Sequence, residues 1–122
     1  MVSDCWNIRR AQQDPVNAHG GTGVIKVARL HSGLPDSAGC RFVDYSTIPP
    51  RCSVGLHTHA ANEEEFYFIV TGQGRMTRNG EQFEVAGGDL IRNPPGGTHS
   101  LENTGDSDLQ MLVFESVFGH LG

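Results

Sequence analysis

A chain of 122 residues, 37% of them hydrophobic, is large enough for one core but not for two. Its formal net charge of −5 argues against a nucleic-acid partner, which calls for a basic face. No apolar run approaches the ~20 residues that span a bilayer, and residues 1–13 are too polar for a secretory leader. The expectation is a soluble, cytoplasmic, single-domain protein without membrane or nucleic-acid partners. Sixteen glycines favour short strands joined by tight turns. Cys5, Cys40 and Cys52 are odd in number, widely spaced and lack a C-x-x-C pair. Neither a disulfide framework nor a thiolate zinc site is expected from them.

In chain order, residues 3–13 read as a short helix capped by Ser3 or Asp4 and ended by Asp14-Pro15. Residues 19–23, H-G-G-T-G, read as a turn. Residues 24–30 form a strand candidate with charge on both faces, at Lys26 and Arg29, which suits a sheet edge. Residues 31–39 read as a loop, residues 40–48 as the next strand, and Pro49-Pro50 closes it. The following strand, residues 53–59, carries His57 and His59 on one face, because strand side chains alternate. Glu63, Glu64 and Glu65 then lead into the run F-Y-F-I-V at 66–70, short, apolar and ended by glycines, which reads as a strand. A hairpin between these two strands is expected to bring one carboxylate beside both imidazoles. Neutral imidazole plus carboxylate suits a divalent transition metal.

No helical pattern follows Gly74. Residues 75–78 and 81–85 flank Asn79-Gly80, the strongest short hairpin signal, because both turn positions accept positive φ. Residues 90–92 form a short strand, and N-P-P-G-G at 93–97 is a rigid loop that delivers Thr98-His99 onto the next strand. Residues 109–115 form a last long strand. Short strands at intervals of about 8–12 residues point to an all-β sandwich or barrel.

Gly88, Pro94, Gly96, His99 and Asn103 are spaced as Gly, five residues, P-x-G, two residues, His, three residues, Asn. Upstream, the H-x-H of His57 and His59 precedes the glutamates, and six residues separate Glu65 from Gly72. These two patterns, in this order, resemble the first and second motifs of the cupin superfamily. The second motif is met at every fixed position, whereas Arg51 stands where the first motif opens on Gly. The resemblance implies an all-β, double-stranded β-helix or jelly-roll barrel. Residues 1–19 would form a short N-terminal arm and residues 20–122 the barrel. It further implies one metal ion held by His57, His59, His99 and one glutamate of the triple.

The glutamate is chosen on register. The family leaves three or four residues between H-x-H and its Glu, which Glu63 and Glu64 satisfy and Glu65 does not. Counted back from Gly72, however, the family's six residues lead to Glu65. A one-residue slip would turn every side chain of the strand to the other face. An extra residue in the Ala60-Ala61-Asn62 loop costs little by comparison. Glu65 is therefore preferred over Glu64 and Glu63. His19, His31 and His120 are read as ordinary surface or core histidines.

A nitrogen and oxygen donor set without sulfur suits Fe or Mn first, with Ni or Zn also compatible. An open coordination position polarises a substrate oxygen or acidifies water. The expected activity is that of a metal-dependent enzyme on a small oxygen-rich substrate (a carboxylate, an enol or a sugar-like molecule). Dioxygenase-like oxidation or decarboxylation is one route, and Lewis-acid isomerisation, elimination or cyclisation the other. The alternative is a non-catalytic module that binds a metal or a small metabolite. Tyr67, two residues after Glu65 on the same strand face, is the candidate catalytic base; its other reading is a core tyrosine. Because F-Y-F-I-V is apolar on both faces, its outer face needs a cover. A second copy, giving a homodimer, or the N-terminal arm with Trp6 would supply it.

Overall fold

The computed structural model describes residues 2–33 and 38–119. Period-two burial organises it. β5 (Glu63–Thr71) turns Glu65, Tyr67 and Ile69 inward, and β10 (Leu109–Val117) turns Leu109, Met111, Val113 and Glu115 inward. Strands with one buried face need a second sheet to bury it against. Here a six-stranded sheet runs in the order β1 (Asp14–Val16), β2 (Ile25–Ser32), β3 (Gly39–Ile48), β10, β5, β8 (Leu90–Asn93). A four-stranded sheet runs in the order β4 (Ser53–Thr58), β9 (Thr98–Asn103), β6 (Gln73–Arg78), β7 (Glu81–Ala86). The ladders are antiparallel, and the two sheets enclose a core of Ile48, Ile69, Met76, Leu101, Leu109 and Met111. This is a jelly-roll β-barrel.

The turns obey local chemistry. Asn79 and Gly80 hold φ of 49° and 81°, the two positive values that a tight hairpin between β6 and β7 requires. Arg51 adopts φ 65°, a left-handed conformation at the position where the resembled motif opens on Gly.

Three expectations need correction. Residues 3–13 form turns and irregular chain rather than a helix. An isolated helix of that length is marginal in water, and the Gln13 side chain instead donates to Thr47 Oγ1 at 2.9 Å. Asp14-Pro15, expected to end that helix, opens β1, whose edge position tolerates a proline. For the same reason β2 is not the edge, since β1 pairs with its Ile25–Val27 portion. Finally, β4 and β5 do not form a hairpin: they belong to opposite sheets, and the connection through Ala60-Ala61-Asn62 crosses the barrel.

Candidate metal centre

The crossing decides how the site is built. β4 pairs with β9 so that His57 lies directly opposite His99. β5 approaches from the other sheet and presents Glu65 to them. One ligand atom from each of His57, His59, Glu65 and His99 lies within 4.8 Å of the other three. Glu65 and His99 are buried, at 4% and 1% exposure. Two donors bound to one ion at about 2.1 Å each stand at most ~4.2 Å apart, so this group needs only a slight contraction to hold one.

The imidazoles are oriented from behind. His57 Nδ1 donates to the Gly55 carbonyl at 2.8 Å, which leaves Nε2 for the site. His59 Nδ1 meets Glu115 Oε1 at 3.0 Å, and its Nε2 is buried without a hydrogen-bond partner, 3.4 Å from Glu65 Oε1. His99 Nε2 donates to Glu65 Oε1 at 2.9 Å. Ring nitrogens converging on a buried carboxylate oxygen, one of them without a hydrogen-bond partner, become, once their protons leave, the donor set a divalent cation takes up. The site is able to bind a metal ion.

The other glutamates have separate tasks. Glu64 accepts from Arg92 at 2.6 Å and 2.7 Å on the outer face. Glu63 accepts from the Ala60 backbone N–H at 2.7 Å and from Arg41 at 2.6 Å, which fastens the β4–β5 turn. Glu63, Glu115 and His59 could form a second acidic cluster for an ion. The Arg41 guanidinium already pairs with both of its carboxylates, 2.6 Å from Glu63 and 3.6 Å from Glu115. Cys52 lies outside both groups.

Two residues at the centre were not anticipated. Glu115 is buried at 4% exposure, and its inward position was legible in the alternation of Leu109, Met111 and Val113. His19, expected to be an ordinary histidine, stacks on His57 with ring centroids 3.6 Å apart and planes 9° apart. Its backbone sits at φ 52°, and the turn over Ala18–Gly20 packs on β4 so closely that a Cβ on Gly55 would collide with the His19 carbonyl. No local signal in the sequence marks that contact. His31 packs edge-on against Trp6 at 5.8 Å, away from the centre, and His120 lies outside the described residues. Asn93, opposite Glu65 across β5–β8, is buried with both side-chain polar atoms unpaired; such groups take an ordered water or a ligand.

Electrostatics follow from these contacts. Burial lowers the His57 pKa to about 4, so this ring is neutral. The Glu115 carboxylate at Nδ1, and then the Glu65 carboxylate facing Nε2, raise His59 to about 10, against the pull of burial. Burial raises the Glu65 carboxyl, but His59 facing it and the hydrogen bond from His99 outweigh that and hold the pKa at about 2. Burial, then the Glu65 charge, pushes the Tyr67 hydroxyl well above its ordinary value. The protein's own groups therefore keep Tyr67 protonated, and its ring stands edge-on to His99 at 5.4 Å.

A metal ion taken up by this cluster would have to displace the proton that His59 holds between its two carboxylates. Below the raised pKa of about 10, apparent affinity is expected to climb about one log unit per pH unit from neutrality to pH 9. Glu115→Gln withdraws the largest cause of that shift. Its affinity should stop rising at a lower pH and should plateau about 10–100-fold weaker, as when an outer partner of a ligating His is lost. Titration of Mn(II) into both proteins across that pH range checks both statements.

Comparison with known proteins agrees with this fold. The cupin domain profile matches residues 44–115. The oxalate-binding protein of Thermotoga maritima is 38% identical over 97 residues, covering 80% of this chain and 79% of that protein. A 5-nitrosalicylic acid 1,2-dioxygenase of Bradyrhizobium sp is 31% identical over 102 residues; the match covers 84% of this chain and 45% of the enzyme. Among solved structures, a predicted oxalate decarboxylase of Thermotoga maritima superposes with a TM-score of 0.85 at 32% identity, covering 92% of this chain and 97% of that one. With its jelly-roll barrel, its convergent His and Glu side chains and these matches, the chain belongs to the cupin family.

Proposed function

We propose that this chain is a metal-dependent cupin enzyme that acts on a small, oxygen-rich, chelating substrate. The observation that carries the reading is the convergence of His57, His59, Glu65 and His99, two of which line a cavity of about 520 Å³ inside the barrel. A bound Fe or Mn ion would supply Lewis-acid polarisation of substrate oxygens and, with iron, dioxygen chemistry. The chain's residues supply the rest. His57, His59, His99 and Glu65 hold the ion, and Glu115 and Gly55 aim two of the rings. Tyr67, which the sequence suggested as a base, acts in this reading as a protonated donor that steadies negative charge on a substrate oxygen.

A relative named for binding oxalate and one named as a dioxygenase support the two readings, binding module and enzyme, respectively. Oxygen uptake by anaerobically iron-loaded protein, screened against small hydroxy and oxo acids, decides between them. Consumption of oxygen with conversion of an acid supports the enzyme. Tight binding with the acid recovered unchanged, under iron or manganese, supports the module instead.

We further propose that the protein is a homodimer. On the outer face of the six-stranded sheet, Leu112, Phe68 and Leu90 lie in one cross-strand row; Phe68 and Leu90 are 37% and 64% exposed. Among the described residues, the arm reaches the β2–β3 side through Gln13, and Trp6 packs on His31. An exposed apolar row of this kind suits an isologous contact. Leu90→Glu is expected to convert the dimer to monomer in analytical ultracentrifugation without loss of the fold.

A further inference from the structure

The cavity extends well beyond the ligand cluster, and its shape bears on what it takes. Tyr67, Val113, Asp44 and Arg29 lie in register on β5, β10, β3 and β2, so they form one row across the floor of the six-stranded sheet. All four line the cavity together with His57 and Glu65. Three strand spacings of about 4.8 Å put Arg29 roughly 14 Å from Tyr67.

The chemistry changes along that row. At the inner end, a divalent cation with three neutral imidazoles and one carboxylate would carry a charge of about +1 over that set of five, which an anion complements. The middle is mainly apolar, with Val27, Val54, Met111 and Val113 on its walls and the buried Ser46 in register between Val27 and Met111. At the outer end the Arg29 guanidinium makes a two-point pair with Asp44, at 2.8 Å and 3.0 Å, and lies 4.1 Å over the Phe42 ring. That pair is neutral overall, and the guanidinium stacked on Phe42 has a second face with which to meet another ring. The Met111 thioether likewise favours an aromatic neighbour. A two-carbon diacid would fill only the inner end and leave the apolar walls against water. A volume of about 520 Å³ falls in the range that encloses larger organic ligands.

From this, and resting on the metal-centre reading above, we infer that the ligand is an aromatic acid with an ortho oxygen. Its carboxylate and neighbouring oxygen lie at the ion, and its ring lies along Val27, Met111 and Val113 towards Arg29. Recognition of the ring then depends on residues other than the candidate metal ligands, and this separates the two readings in experiment.

The test titrates salicylate and oxalate into Mn-loaded protein and compares wild type with Val27→Leu and Val27→Trp, Mn content being measured on each preparation. Val27 is half-buried on β2, which β3 and β10 separate from β5 and its Glu65. Graded filling of the cavity is expected to weaken salicylate progressively, by about tenfold or more at tryptophan, with oxalate binding and Mn content unchanged. If Val27→Trp does not fold, Val27→Leu alone must still weaken salicylate selectively. Oxalate and salicylate responding alike in either variant, or salicylate failing to bind Mn-loaded wild type, overturns the aromatic assignment and leaves the metal centre standing. Wild-type protein that retains no Mn overturns both.

Discussion

Glu65→Gln protein is expected to bind divalent metal at least about 100-fold more weakly than wild type, beyond the usual cost of losing an outer-shell partner. The change is nearly isosteric but removes the only negative charge among the four convergent groups, at a position 4% exposed where charge is poorly screened. Glu64→Gln is the matched control. Its carboxylate binds Arg92 on the opposite face of the same strand, so metal content should stay at the wild-type level. Elemental analysis after dialysis against buffered Mn(II), with a thermal melt of each variant, makes the comparison. Retention of metal by Glu65→Gln together with its loss from Glu64→Gln would reverse the assignment.

Tyr67→Phe is expected to lower kcat by about 10²-fold, the lower end of what one positioned proton donor contributes. Metal content and KM should change little. Tyr67 is 2% exposed, and burial with the Glu65 charge holds its hydroxyl protonated. The ring is retained in the variant, so the packing against His99 at 5.4 Å survives and only the hydroxyl is lost. Unchanged turnover would make Tyr67 a core residue. A matching fall in melting temperature without a kinetic effect would point the same way, since a buried hydroxyl stabilises through its hydrogen bond.

The strands were legible because their signals are local. Asn79-Gly80 announces a hairpin through its own φ preferences, and the alternation from Leu109 to Glu115 states which side chains share a face. The same alternation held the clue to Glu115, a carboxylate in step with three core residues. Residues 3–13 misled because capping residues and a following proline are also what an extended arm and an edge strand can contain. There the tie from Gln13 to Thr47 outweighs a weak local helix preference.

What the amino-acid sequence by itself determined was the class of the fold, the succession of strands and turns, and two spaced groups of ligand-type residues. Each of these rests on neighbours a few positions apart. Only the tertiary structure decided that β4 and β5 meet across the barrel rather than side by side, so that Glu65 reaches the imidazoles from the opposite sheet. It alone set His19 on His57 and Glu115 behind His59, and opened the long cavity floor from Tyr67 to Arg29. Those relations join residues dozens of positions apart, and they exist only once two twisted sheets close on a common core.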